Sequence, residues 1–227
     1  MDDKTPIAVF DLDGTLVDGQ SGSLISVYLL KHGIVNAPRA ARLAWWGVRY
    51  KLHLPQRQDE PREVILSALN KARPDDIAQI MADFHDEVMI PLYRPKMLEE
   101  VRRRKEEGCV TLLASATFHE VADRAAAFLG MDGFVATEME RSEDGSYTGF
   151  VEGEVTEGRE KLSAVARWAN EHIGAGTWFI AHAYGDHSSD VSLLATARHP
   201  VAVCPSYLMK LTAQRRKWEI LDLGGTY

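Results

Sequence analysis

The sequence predicts an α/β fold in which a parallel sheet carries a small, all-helical cap. Short apolar runs that are typical of buried strands alternate with amphipathic helical segments over residues 93–227. Residues 21–92 contain helical patterns bounded by prolines and no convincing strand. A chain of 227 residues fits one large domain, or a core with a smaller insert. We therefore predict an α/β core over 1–19 and 93–227 and a helical cap over 20–92.

Each predicted strand is a short apolar run next to a turn or a helix. Residues 7–10 form the first, which ends in two acids and a glycine. Residues 110–114 form a nearly unbroken apolar run, as expected in a parallel sheet that is covered on both faces. Residues 143–146 favour a hairpin turn before a strand over 147–151. The remaining strands are predicted over 134–137, 177–183 and 201–204.

Helices are predicted where apolar residues recur at helical spacing between glycines and prolines. Gly108 closes a charged helix over 95–107, and Gly130 ends the helix over 120–129. The cap helices are predicted over 24–31, 39–52, 61–69 and 74–88. The other core helices are predicted over 160–172, 190–197 and 207–218. Strands and helices alternate through the core, which is the pattern of a parallel sheet.

Composition and charge exclude several classes of function. The formal net charge of −7 argues against nucleic acid as a main partner, because phosphate-backbone binding requires a basic field. No apolar stretch approaches the ~20 residues of a membrane span, and Asp11 interrupts the first apolar run, so neither a span nor a signal peptide is predicted. Cys109 and Cys204 lack partners at metal-ligand spacing and are expected to be reduced. We expect a cytoplasmic protein.

Two acids follow the first predicted strand. Continued as a strand, the spacing of Asp11 and Asp13 places both carboxylates on one face. Like charges at close range repel each other, so such a pair usually requires a cation or a shared proton. Mg²⁺ is the common cation where a phosphate shares the coordination shell. Gly14 permits a sharp turn, and a solvated acidic turn is the alternative reading of this segment.

Further polar residues follow two other predicted strands. Ser115 ends the second strand, where a hydroxyl and free backbone N–H groups can hold a phosphate oxygen. Asp186 follows the strand over 177–183, and Asp190 stands in the first turn of a helix that Ser188 or Ser189 can cap. In an open parallel sheet, ligands bind outside the carboxyl ends of the strands. These side chains are therefore predicted to meet at one edge of the sheet.

In this order, the motifs resemble those of the haloacid dehalogenase superfamily. Asp11-Leu12-Asp13-Gly14-Thr15 is similar to its first motif, Ser115 to the second, Lys161 to the third, and Gly185-Asp186 with Asp190 to the fourth. The helical insert resembles the small cap of the phosphoserine-phosphatase-like branch. The resemblance covers about residues 7–218 and implies a Rossmann-like parallel-sheet core.

The resemblance also implies the catalytic and metal-binding roles. Asp11 would attack phosphorus and form an aspartyl-phosphate. Asp13 would protonate the leaving oxygen and then deprotonate the hydrolytic water. Mg²⁺ would be held by Asp11, the backbone carbonyl of Asp13, and Asp186.

The phosphate-binding roles follow from the same resemblance. Ser115, Ala116 and Lys161 would bind the transferring phosphoryl group. Asp190 would support Lys161 or a metal-bound water. The implied partner is a small-molecule phosphate ester, and the implied activity is magnesium-dependent hydrolysis of a phosphomonoester. A phosphotransferase that passes the group to another alcohol, and a catalytically idle phosphate-binding module, stay as alternatives.

The cap leaves the substrate open. Gln20 stands where phosphoserine phosphatases have an acid that meets the substrate ammonium, so phosphoserine is not favoured. The segment 39–53 is rich in arginine and aromatic residues, among them Arg42, Trp45 and Arg49. It is expected to pack its tryptophans inward and to solvate its arginines, with substrate contact and membrane contact as the alternatives. Gln20, Arg42 and Arg49 are the candidate specificity residues.

Overall fold

The computed structural model describes residues 4–35 and 74–224, together with 38, 41, 42, 45, 48, 49 and 69. Its strands are β1 (Thr5–Phe10), β2 (Val110–Phe118), β3 (Gly133–Thr137), β4 (Met139–Arg141), β5 (Tyr147–Val151), β6 (Trp178–Gly185), β7 (His199–Val203) and β8 (Glu219–Leu221). Six of them form a sheet in the order β3-β2-β1-β6-β7-β8, with every neighbouring pair parallel. The predicted Rossmann-like α/β fold is confirmed.

Strand β1 lies inside the sheet and is covered on both faces. Ala8 and Phe10 point into one hydrophobic cluster, and Ile7 and Val9 point into the other. All four are fully buried. This double coverage explains why the run is uniformly apolar rather than alternating, and it fixes where the chain emerges at the carboxyl end.

The helices of the described residues cover this sheet and part of the cap. They are α1 (Ser21–Lys31), α2 (Pro74–Phe84), α3 (Pro95–Glu106), α4 (His119–Phe128), α5 (Arg159–Ala169), α6 (Val191–Leu194) and α7 (Tyr207–Arg216). A π-helical turn, His85–Met89, extends α2, and another, Asn170–Gly174, extends α5. The predicted hairpin is confirmed, because β4 and β5 pair antiparallel outside the main sheet.

The predicted cap is described in part. Helices α1 and α2 belong to it, whereas the helices predicted over 39–52 and 61–69 lie mostly outside the described residues. Trp45 is described and 58% exposed, so the expectation that the tryptophans pack inward is wrong for this residue. The division into 1–19 with 93–227 and 20–92 stays a prediction.

The two segments that connect the cap to the core run side by side. Asp18 N donates to Leu92 O at 2.8 Å, and Arg94 N donates to Leu16 O at 2.9 Å. The buried guanidinium of Arg94 also donates to Asp18 Oδ1 at 2.8 Å and to the Gly224 carbonyl at 2.7 Å. The C-terminal segment therefore contributes to holding the cap connections in place.

Several predicted boundaries are corrected by tertiary contacts. Strand β2 continues to Phe118 instead of ending at residue 114, because a bulge lets it pair with β3 again at Thr137. The helix predicted over 190–197 is a short 3-10 turn, Ser188–Asp190, followed by only Val191–Leu194. Strand β8 was not predicted, and its pairing with β7 gives a short run a place at the sheet edge.

Two further expectations concern the surroundings of the fold. Both cysteines are free thiols, as predicted, with Cys109 buried and Cys204 half-buried. In the part of the chain that the structure describes, no helix has both the length and the apolar character to cross a membrane.

Candidate active site

Asp11 emerges from β1 at the carboxyl edge of the sheet. Its backbone N–H donates to Tyr184 O at 3.0 Å, which ties the end of β1 to β6. The residue is 5% exposed, and Thr15 Oγ1 lies 3.4 Å from its Oδ2. The strand pairing therefore holds this carboxylate at a fixed position in a largely dehydrated place.

Lys161 bridges Asp11 to a second acid. Its Nζ donates to Asp11 Oδ1 at 2.8 Å and to Asp190 Oδ1 at 2.5 Å. The side chain is 3% exposed and comes from the first turn of α5, where the helix dipole does not favour a cation. The two carboxylates, rather than the helix, stabilise the ammonium in this position.

Asp186 completes a cluster of three acids, which we call the carboxylate cluster (Asp11, Asp186 and Asp190). One oxygen from each of these side chains lies within 4.8 Å of the others. Two glycines permit this approach. A Cβ on Gly14, which has a φ of +76°, would lie 2.3 Å from Asp186 Oδ2, and a Cβ on Gly185 would lie 2.8 Å from the Asp190 side chain.

Burial and neighbouring charges shift the pKa values of Asp11, Asp186 and Lys161. Burial raises the pKa of Asp11 well above its ordinary value, although Lys161 opposes the shift. Burial, followed by the charge of Asp190, raises the pKa of Asp186 to about 7. Burial alone would lower the pKa of Lys161, but its two carboxylate partners raise it above the ordinary value. When all three acids are ionised, one ammonium leaves two negative charges unbalanced.

The carboxylate cluster fits a hard divalent cation. Its donors are all carboxylate oxygens, they are close enough to share one ion, and two glycines keep the space beside them clear. A divalent cation would neutralise the two unbalanced charges. The carboxylate of Asp13 is not part of this group. Asp190 is part of it, although the resemblance implied only a supporting role for this residue.

Asp13 faces a different partner. The N–H of Ser21 donates to its Oδ1 at 2.8 Å, and the Ser21 hydroxyl lies 2.8 Å from its Oδ2. The Asp13 side chain is half-buried. Ser21 was not singled out in the sequence, because a serine that begins a helix is common and carries no signal beyond its position.

The predicted phosphate-binding segment is a bulge in β2. Ala114 pairs with Val135, and the next pair is Phe118 with Thr137, so residues 115–117 lie outside the regular ladder. Ser115 is 1% exposed, and its hydroxyl accepts from Thr117 N at 3.2 Å. Ser115 therefore lies within the strand rather than after it, and phosphate binding by its segment stays a prediction.

The side chain of Thr137 holds this bulge, and the backbone of Thr156 holds Thr137. Thr137 Oγ1 donates to the carbonyl of Ala116 at 3.0 Å, and it accepts from Thr156 N at 3.2 Å. Thr137 and Thr156 are buried. The Ala116 peptide is thus fixed through its carbonyl, which determines the direction of the adjoining N–H groups.

The turn that carries Asp190 differs from the prediction. Its cap is His187, whose ring accepts from Ser189 N at 3.4 Å, and not Ser188 or Ser189. In return, Asp190 Oδ2 accepts from His187 N at 3.3 Å. Asp190 is 1% exposed, so it caps the turn with one oxygen and meets Lys161 with the other.

The three specificity candidates differ in their exposure. Gln20 is the exposed N-cap residue of α1 and uses no side-chain oxygen to cap it. In the partly described cap segment, Arg42 is exposed and Arg49 is half-buried. Their contact with a substrate stays a prediction.

The sequence profile of haloacid dehalogenase-like hydrolases matches residues 8–195. The chain belongs to this family. A histidinol-phosphatase of Neisseria meningitidis serogroup C is 25% identical over 217 residues, which cover 95% of this chain and 98% of that protein.

Two further relatives extend over nearly the whole chain. A phosphoserine phosphatase of Mycobacterium tuberculosis is 27% identical over 224 residues, which cover 97% of this chain and 71% of that protein. A crystal structure of a protein of unknown function from Bordetella pertussis has a TM-score of 0.86 and 28% identity, and covers 97% and 100% of the two chains. The predicted family is confirmed, and so is the prediction that the protein is a phosphatase.

Proposed function

We propose that this haloacid dehalogenase-like hydrolase is a magnesium-dependent phosphomonoesterase that acts on a small phosphorylated metabolite through an aspartyl-phosphate on Asp11. One observation carries the proposal. The buried ammonium of Lys161 lies between Asp11 and Asp190, and Asp186 brings a third carboxylate within 4.8 Å. An arrangement with two unbalanced negative charges at the carboxyl edge of a parallel sheet is suited to a cation and a phosphate together.

The first half of the reaction transfers the phosphoryl group to the protein. A carboxylate oxygen of Asp11 forms a bond to phosphorus while the bond from phosphorus to the ester oxygen breaks. Asp13 gives its proton to the departing oxygen, which leaves as an alcohol. Asp11 is held in place by Lys161 and by the backbone bond to β6, so little reorganisation is required.

The second half regenerates the enzyme. Asp13, now a carboxylate, takes a proton from a water molecule that attacks phosphorus, and the bond between phosphorus and Asp11 breaks. Inorganic phosphate is released with Asp11 ionised and Asp13 protonated, so the protons and charges balance over the cycle. A phosphotransferase would substitute an alcohol for this water.

Charge neutralisation supports both halves. The side chains of Asp11, Asp186 and Asp190 and the carbonyl of Asp13 are the groups that would hold Mg²⁺. The ion would neutralise charge on the phosphoryl oxygens. Lys161 and the hydroxyl of Ser115 would bind the remaining oxygens.

The substrate proposal is limited to a small phosphate ester. The relatives named above are a histidinol-phosphatase and a phosphoserine phosphatase, which suggests a monoester of a small alcohol. Gln20 offers a neutral side chain at the entrance to α1, and this does not favour phosphoserine. A panel of amino-acid, sugar, choline and nucleotide monophosphates with histidinol phosphate covers the chemistry.

The test is phosphate release from p-nitrophenyl phosphate with and without Mg²⁺. The wild type is expected to be active with Mg²⁺ and inactive in excess EDTA, and Asp11→Asn is expected to be inactive. Asp123→Asn, the same substitution at an exposed position of α4, is the control and should retain wild-type activity. Full activity of Asp11→Asn, or activity that persists in EDTA, would contradict the proposal.

A further inference from the structure

Ser21, the first residue of α1, connects the cap to two residues of the core. Its N–H donates to Asp13 Oδ1 at 2.8 Å. Its hydroxyl oxygen lies 2.8 Å from Asp13 Oδ2 and 2.8 Å from Thr117 Oγ1. Ser21 is 1% exposed, so these groups have little access to competing water. Both oxygens of the Asp13 carboxylate are thereby fixed by one residue.

The number of hydrogens orders this set of bonds. A serine hydroxyl carries one hydrogen, so it cannot donate to Asp13 and to Thr117 at the same time. When Ser21 donates to the Asp13 carboxylate, Thr117 has to donate to Ser21. Thr117 N in turn donates to Ser115 Oγ at 3.2 Å. A continuous chain of bonds therefore runs from the phosphate-binding bulge, through Thr117 and Ser21, to Asp13.

The backbone of α1 makes this contact stiff. The helix runs for 11 residues from Ser21, and Ser23 N and Leu24 N both donate to Gln20 O at 3.0 Å. Ile25 and Leu29 of the same helix are fully buried. The first N–H groups of a helix have no partner within the helix and favour an anion, which is the position that Asp13 occupies.

From these contacts we propose that Ser21 is a positioning residue for Asp13, holding the acid/base carboxylate at the entrance of α1 in register with the phosphate-binding bulge. This inference rests on the proposed function, in which Asp13 protonates the leaving oxygen. In this role Ser21 acts through its bonds to Asp13. Its removal should therefore impair proton delivery more than phosphate binding.

Leaving-group chemistry separates these two effects. p-Nitrophenolate is a weak base and departs without a proton, whereas phenolate is a stronger base and benefits from protonation as it leaves. The two aryl phosphates are similar in shape and share the same phosphoryl group. A loss of acid positioning is expected to slow phenyl phosphate more, and general damage to the site is expected to slow both equally.

The experiment measures kcat/KM for phenyl phosphate and p-nitrophenyl phosphate with Mg²⁺. In Ser21→Ala, the ratio of kcat/KM for phenyl phosphate to kcat/KM for p-nitrophenyl phosphate is expected to fall at least about fivefold. This is a part of the ~10²-fold that general acid catalysis commonly contributes. Thr117→Val should lower the ratio less, since Ser21 keeps its bonds to Asp13. Ser26→Ala, at a position of the same helix whose hydroxyl donates to Gly22 O, should leave the ratio unchanged.

The ratio does not depend on the fraction of folded enzyme, so a destabilised variant still gives an answer. If Ser21→Ala yields no active protein, Ser21→Thr, which keeps the hydroxyl, is expected to retain the wild-type ratio. Equal loss for both esters, or no loss, in Ser21→Ala would overturn the role of Ser21 and leave the proposed function standing. A wild type that hydrolyses neither ester with Mg²⁺ would remove the proposed function, and this inference with it.

Discussion

Strand β6 lies beside two clusters of charged residues that differ in their balance of charge. At its carboxyl end, the three acids of the carboxylate cluster share one ammonium, that of Lys161. On its flank, Glu100 of α3 accepts from Arg103, Arg104 and Tyr184, and Arg104 also pairs with Glu107 at 2.5 Å. We call this second group the Glu100 cluster (Glu100, Arg103, Arg104, Glu107, His182 and Tyr184).

The two clusters differ in whether their negative charges are matched by positive ones. In the Glu100 cluster, two glutamates face two arginines, and His182 offers its ring nitrogen to Arg104 at 3.0 Å. Its charges are satisfied within the protein. When its acids are ionised, the carboxylate cluster has an excess of negative charge that the single ammonium of Lys161 does not balance. This difference fits a supporting role for the first cluster and the metal-binding role that we propose for the second.

Replacing Lys161, whose ammonium lies between Asp11 and Asp190, should have the largest effect on activity. Lys161→Met is expected to lower kcat/KM for phosphate release about 10³-fold, because Asp11 loses its partner and the phosphoryl group loses a positive charge. Lys96→Met, at an exposed position in the first turn of α3, is the matched control and should stay within twofold of the wild type, about the scatter expected of a surface change. A Lys161→Met enzyme that retains a tenth of the wild-type activity would contradict the proposed role of Lys161.

Removing the charge of Asp186 should weaken metal binding and also relieve its repulsion with Asp190. Asp186→Asn is expected to weaken Mg²⁺ binding by about 10- to 100-fold, measured by calorimetric titration. In EDTA at pH 8, where the unfavourable ionisation of Asp186 is complete, the same variant should be about 1–2 kcal/mol more stable to urea than the wild type. Lower stability without metal would show that the cluster is balanced on its own.

Much of this site follows from the sequence, because the order of the strands predicts it. Asp11 and Asp186 follow β1 and β6, and Ser115 lies in the bulge of β2; these three strands are neighbours in the sheet, so parallel topology brings the residues to one edge. The contact of Lys161 with Asp190 depends on how α5 packs on the sheet; the resemblance to a family offered it as one of two roles for Asp190, which periodicity could not do. The bonds of Ser21 to Asp13 and Thr117 depend on the exit angle of the cap, which no local pattern encodes.

The Glu100 cluster should respond in the opposite way. Burial alone would raise the pKa of Glu100, but hydrogen bonds from its arginine and tyrosine partners lower it below its ordinary value. Glu100→Gln is expected to reduce the free energy of unfolding by about 2 kcal/mol, since charged partners lose a buried acceptor. Its kcat/KM at a temperature well below unfolding should match the wild type. A large loss of activity without loss of stability would contradict the supporting role.

His182 should give the smallest effect, visible in the pH dependence of stability. Burial, and then the charge of Arg104, lowers the pKa of His182 to about 4. Between an unfolded value of ~6.5 and this value the unfolded chain binds more protons, so the free energy of unfolding falls as the pH falls through this window. The contribution is about 1 kcal/mol after allowance for partial solvent exposure.

His182→Gln keeps an acceptor for Arg104 and has no charge to gain. Urea unfolding at pH 7, 6, 5 and 4 should show that the variant loses less stability than the wild type over this range. The same dependence in both proteins would remove His182 as its source. The Asp186→Asn substitution, which concerns the other cluster, should leave this difference intact.

The central claim is that Asp11 receives the phosphoryl group at the carboxylate cluster. The most direct measurement is an acid quench of the enzyme during turnover of ³²P-labelled phosphate ester with Mg²⁺, followed by digestion and mass spectrometry. We expect covalently bound phosphate on the peptide that contains Asp11, absent in Asp11→Asn and absent when EDTA replaces Mg²⁺. Label on a different peptide, or no label during sustained turnover in which the first half-reaction is the faster step, would contradict the account.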